Sequence, residues 1–156
     1  MVSRVKRYFL EIKDFSNTID LNLPENYKIV LDNKDNFHLN KFFYKQIGLD
    51  HFWRDRLLWS DSEWVKYVTN KNLETHVLKK GEDLAGYYEQ EYHPGSNEVE
   101  LINLGVLKEF RGLKLGSTLV NHMGDLILYT FLLHILAAGY HHLIRKDNSF
   151  KRMKFE

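Results

Sequence analysis

The sequence predicts an α+β domain, a mixed and mostly antiparallel central sheet flanked by helices, and three observations lead there. Extended segments at about 74–79, 84–92 and 98–107 are separated by Lys80-Gly81-Glu82-Asp83 and His93-Pro94-Gly95-Ser96-Asn97, short glycine-bearing connections that favour antiparallel hairpins. Two strand–helix units precede this meander. After it, Leu104 through Val120 runs as an apolar strand into a basic turn and straight into a helix. That order is an α+β order.

Each element has a local reason. Residues 7–12 read as a first strand, followed by a polar connection through Asn17 and Pro24, and Tyr27–Leu31 reads as the next strand. Asp35 or Asn33 is placed to cap a helix in which Leu39, Phe42, Phe43 and Ile47 recur at helical spacing, with Gly48 placed to end it. Ser60-Asp61-Ser62-Glu63 is a capping box that opens a second helix through Trp64 and Tyr67. The apolar run at 126–138 is shorter than the ~20 residues of a membrane-spanning helix, so it reads as a core segment. Two readings fit it: one helix from Leu115 to about Ala138, or a helix ending at Gly124-Asp125 and a buried strand at 126–133. A final strand is expected near 150–155.

The turn carries the first chemistry. Backbone N–H groups at a helix start lack intrahelical acceptors and the macrodipole adds positive potential there, so an anion fits where the chain comes close. Gly112 and Gly116 permit that approach, and Arg111 and Lys114 supply charge.

The run Phe110-Arg111-Gly112-Leu113-Lys114-Leu115-Gly116 resembles the acetyl-CoA signature of the GNAT superfamily of N-acetyltransferases: Gln or Arg, two residues, Gly, one residue, then Gly or Ala. One position departs, because Lys114 stands where the signature has its first Gly. The similarity continues upstream, through the segment from Phe52 to Trp64, Gly86-Tyr87-Tyr88-Glu89, and Val99-Glu100-Leu101-Ile102, and spans roughly residues 4–123. It matches a bacterial subgroup of uncharacterised substrate. The resemblance implies a GNAT-like (acyl-CoA N-acyltransferase) fold over a single domain, 1–156, with an abbreviated C-terminal part. It implies acetyl-CoA as cosubstrate, an amine as acceptor, and direct attack in a ternary complex. The cosubstrate would meet Gly105, Val106 and Leu107 along its pantetheine arm, with Arg111, Gly112, Leu113, Lys114, Leu115, Gly116 and Ser117 at the diphosphate.

Acetyl transfer needs a neutral amine, yet an alkylamine has a pKa near ~10.4 and is protonated at neutral pH. A base must take that proton. The family keeps one on the strand before the turn, where Glu98 and Glu100 share one face, and Glu100 lies within the matched stretch. Trp53, Trp59 and Trp64, with Arg54 and Arg56, lie where the family's early helices flank the acceptor cleft. The family's proton donor to the leaving thiolate, a C-terminal tyrosine, has no clear equivalent; Tyr129 and Tyr140 are the tyrosines beyond the turn.

Composition narrows the classes. With 22 basic and 21 acidic residues the net charge is +1, which gives no general attraction to nucleic acid or an anionic membrane. The absence of cysteine excludes disulfides, thiolate metal sites and a Cys nucleophile. The eight histidines, His141-His142 included, show no metal-ligand spacing, and no metal is expected. No leader-like apolar stretch opens the sequence, so a cytoplasmic protein is expected. The short C-terminus leaves a sheet edge and an apolar run to cover, for which a homodimer is expected. The alternative to an enzyme is a catalytically impaired CoA-binding or protein-interaction domain on the same scaffold.

Overall fold

The computed structural model describes residues 22–34 and 36–127. The expected strands at 7–12 and 150–155, most of the 126–138 run with its dimer face, Tyr129, Tyr140 and His141-His142 lie outside the described residues. In chain order come β1 (Tyr27–Leu31), α1 (Phe37–His51), α2 (Asp61–Val68), β2 (Leu73–Lys80), β3 (Asp83–His93), β4 (Glu98–Val106), a single 3-10 turn (Lys108–Phe110) and α3 (115–127). The four strands form one sheet in the order β1-β2-β3-β4, every pair antiparallel.

The two ends of α1 correct two expectations. Asn36, not Asn33, caps α1, its Oδ1 accepting from the His38 N–H at 3.0 Å, and Asp35, the other expected cap, lies outside the described residues. Gly48 does not end α1: the helix continues to His51, and Phe52 in the left-handed conformation (φ 58°) closes it with its N–H on the Gly48 carbonyl. The Ser60–Glu63 capping box forms as expected. Helix α3 runs through Gly124 and Asp125 to 127, so a strand beginning at Leu126 is excluded.

The sheet has a helix layer on each side. Phe43 and Ile47 of α1 pack on Val77 and Tyr87, while Leu115, Leu119 and Met123 of α3 pack on Leu78, Ala85 and Tyr88 of the opposite face. Burying each such side chain contributes about 1.5–3 kcal/mol. Gly105 allows the first layer to close: a Cβ there would lie 2.5 Å from Ile47 Cγ2.

One irregularity redistributes the side chains of β4. Glu89 pairs with Asn103 but Gln90 pairs with Leu101, so Ile102 is an extra residue. Plain alternation would have put Glu98 and Glu100 on the face of Leu104 and Val106. The bulge instead gives Glu98 and Glu100 the face of Asn103 and Gly105, toward α1 and α2, and turns Leu104 and Val106 toward α3.

Candidate active site

Where β4 ends, Val106 and Leu107 lead into the 3-10 turn, and the chain then opens α3. A cavity of about 300 Å³ lies in this corner, lined by Leu104, Val106 and Phe110 on its apolar side and by Arg111, Gly112 and 114–117 on its polar side, with His51 at the rim. Lys114 sits at the helix start; its carbonyl accepts from the Thr118 N–H at 3.1 Å. The N–H groups of Leu115, Gly116 and Ser117 thus belong to the first turn and have no intrahelical acceptors, which is the property that suits a diphosphate.

The turn's conformation explains its residues unevenly. Gly112 has φ +87°, suited to a residue without a Cβ. Lys114 also lies in the left-handed region, at φ 58°. That conformation costs a residue with a Cβ roughly 1–2 kcal/mol. The position where the sequence departs from glycine is therefore one where the backbone favours glycine.

Arg111 is committed within the protein. Its Nε donates to the Val106 carbonyl at 3.1 Å and its Nη1 to Asp50 Oδ2 at 2.9 Å. It ties the turn to the C-terminal end of α1. Of the other expected cosubstrate residues, Val106, Gly112, Lys114, Leu115, Gly116 and Ser117 line the cavity. Gly105 faces Ile47, Leu107 is buried in the α1-side core, and Leu113 is exposed.

The expected bases lie elsewhere. Glu98 and Glu100 are exposed and do not line the cavity. Glu100 Oε2 is 2.9 Å from His93 Nε2 across the β3–β4 hairpin.

A second carboxylate escaped the sequence reading. Glu89, 1% exposed, projects from the middle of β3 beneath α1 and α2. Asn40 Nδ2 donates to its Oε1 at 2.7 Å, and the Tyr67 hydroxyl and Asn103 amide donate to Oε2 at 2.8 and 2.5 Å. The Arg56 guanidinium lies 3.6 Å away. Burial, then the charge of Glu89, pushes the Tyr67 pKa up, so its hydroxyl stays a donor. The available signal was the strand period, which puts Glu89 on the face of buried Tyr87.

The sequence pattern of the Acetyltransferase (GNAT) family matches residues 33–126, a span that holds the sheet's meander, the turn and the start of α3. The chain belongs to the GNAT family. Solved structures agree on the GNAT fold. An aminoglycoside acetyltransferase, meta-AAC0020, from an uncultured soil metagenomic sample, solved with trehalose and with sisomicin, superposes at a TM-score of 0.56 and 10% identity, over 67% of this chain and 72% of that one. A second soil metagenomic aminoglycoside acetyltransferase, HMB0005, gives 0.51 and 9% over 64% and 70%. No curated protein is detectably similar in sequence. Among the described residues of this GNAT domain, no helix is long and apolar enough to cross a membrane, and no group of three His, Cys, Asp or Glu side chains is placed to hold a metal ion.

Proposed function

We propose that this GNAT domain transfers the acetyl group of acetyl-CoA to a primary amine by direct attack in a ternary complex. The observation that carries the proposal is the cavity itself, built where β4 meets α3 from seven of the turn and strand residues that the resemblance assigns to the cosubstrate. Its unpaired helix N–H groups and Lys114 suit the diphosphate, and Leu104, Val106 and Phe110 offer an apolar wall to the pantetheine arm. The opposite face of β4 is left for the acceptor. There Glu100, exposed and paired with His93, is the group we assign to take the amine's proton, with Glu98 as its neighbour on the same face. The amine nitrogen bonds to the thioester carbon, the C–S bond breaks, and the CoA thiolate leaves.

Calorimetric titration of the full chain with acetyl-CoA and with CoA tests the proposal. Saturable binding of both is expected, and no binding at millimolar concentration would overturn it. Binding without thiol release across a panel of amines would select the second reading, a CoA-binding domain without turnover, which Lys114 at a glycine-favouring position supports.

A further inference from the structure

The Arg56 guanidinium sits inside a ring of aromatic side chains. Its carbon lies 4.2 Å from the Tyr67 ring centre, 5.0 Å from Trp59 and 5.6 Å from Tyr44. The buried Glu89 carboxylate forms the floor, 3.6 Å from Arg56 Nη1. The walls come from α1, the α1–α2 connection and α2, and the floor from β3. Arg56 is paired with Glu89 and faces three rings, yet the hydrogen bonding inside the cage is incomplete. Arg56 Nη1 is buried yet has no hydrogen-bond partner, while Glu89 takes its hydrogen bonds from the neutral donors Asn40, Tyr67 and Asn103. The Tyr87 hydroxyl, two residues from Glu89 on the same face, and Asn40 Oδ1 are likewise buried without partners. Arg56 itself rises from a connection that is neither helix nor strand, and its side chain retains 13% exposure.

Aromatic faces around a carboxylate are the chemistry that recognises a cation. We propose that this cage is the subsite for a cationic group of the acceptor, an alkylammonium or guanidinium, which takes the place that Arg56 holds in the free chain. The proposal rests on the acetyltransferase reading given above. The caged group is not the one that reacts, because the rings and Glu89 favour the charged form and only the neutral amine attacks. The acceptor therefore carries two basic groups, one held in the cage and the other presented at β4. Asn103 joins the two places: its amide holds Glu89, and the next residue, Leu104, lines the cosubstrate cavity on the other face of the strand. When the Arg56 side chain leaves the cage, giving up its contacts with Glu89 and the rings to the incoming cation, the connection stays anchored by the Arg56 N–H on the Tyr44 hydroxyl and by that hydroxyl on Asp55.

The test compares a linear alkyl diamine with the monoamine of equal length, using the full chain and acetyl-CoA. The expected result is a kcat/KM roughly tenfold higher for the diamine. Arg56→Gln should lower the KM of the diamine, leaving the affinity for CoA unchanged. Equal kcat/KM for the two amines, or an equal rise in both KM values in the variant, overturns the proposal. Tryptophan fluorescence of the unaltered chain gives an answer independent of turnover and of whether the variant folds. At constant ionic strength a saturable change is expected with the diamine and none with the diol of equal length; no change with either, or the same change with both, overturns the cage. A saturable change accompanied by failure to bind acetyl-CoA would instead sink the acetyltransferase reading.

Discussion

Asp50 and Arg111, separated by 61 positions in sequence, form a 2.9 Å ion pair that fastens the turn before α3 to the end of α1. Both side chains are more than a third exposed, so solvent screens the pair. On the proposed function, Arg111 is expected to act on cosubstrate binding by shaping the turn. Arg111→Ala and Asp50→Ala should each weaken acetyl-CoA binding by about 0.5–1 kcal/mol, and the double variant should lose little more than either alone. Calorimetry reads this directly. A large loss for Arg111→Ala with none for Asp50→Ala would show instead that the guanidinium meets the phosphates.

Lys114→Gly removes a side chain from a left-handed residue. Relief of roughly 1–2 kcal/mol is partly offset by the greater freedom of glycine in the unfolded chain, leaving a net gain of about 0.5–1 kcal/mol. The thermal midpoint should rise by roughly 1–4 °C. Acetyl-CoA binding should weaken and lose part of its salt dependence, because a cation beside the cavity is gone. A lower midpoint would contradict the conformation of the turn.

Stability should fall in mild acid through two histidines between the sheet and α3. His76 stacks on Tyr88 at 4.6 Å, and His122 Nδ1 is 3.0 Å from the Tyr88 hydroxyl, which keeps its proton because burial raises its pKa. Burial lowers the pKa of both histidines from 6.5, outweighing Glu74 at His76 and Asp125 at His122. Well above 6.5 both are neutral, folded or unfolded. As pH drops through 6.5 toward the lower folded values, the unfolded chain binds protons more readily and stability is lost. Denaturation midpoints measured across that range should decline, and His122→Gln should flatten the decline; a midpoint independent of pH would contradict the burial argument.

Glu100→Gln should leave acetyl-CoA affinity unchanged and lower kcat by roughly a hundredfold or more. An unchanged kcat would show that the proton goes elsewhere. His93→Ala should lower kcat less than Glu100→Gln does, as the side chain 2.9 Å from Glu100 positions its carboxylate.

Local patterns were legible and long-range partners were not. The capping box, the hairpin connections and the strand–turn–helix at 104–120 are written in adjacent residues, so the sequence places them correctly. Gly48 misled because its carbonyl is used by a cap four residues later, at Phe52. The extra residue Ile102 leaves no local mark, yet it decides which face Glu100 occupies. Arg111 carried an obvious charge, but Asp50 is its partner only through the fold. Glu89 was hidden for the same reason: its donors come from α1, α2 and β4, and only packing assembles them.

The release of free thiol from acetyl-CoA, followed with and without a primary amine, tests the central claim most directly. The account predicts release that depends on the amine and matches the acetylated amine mole for mole. Acetyl-CoA bound by the chain, with no amine in a broad panel accelerating thiol release, would contradict it.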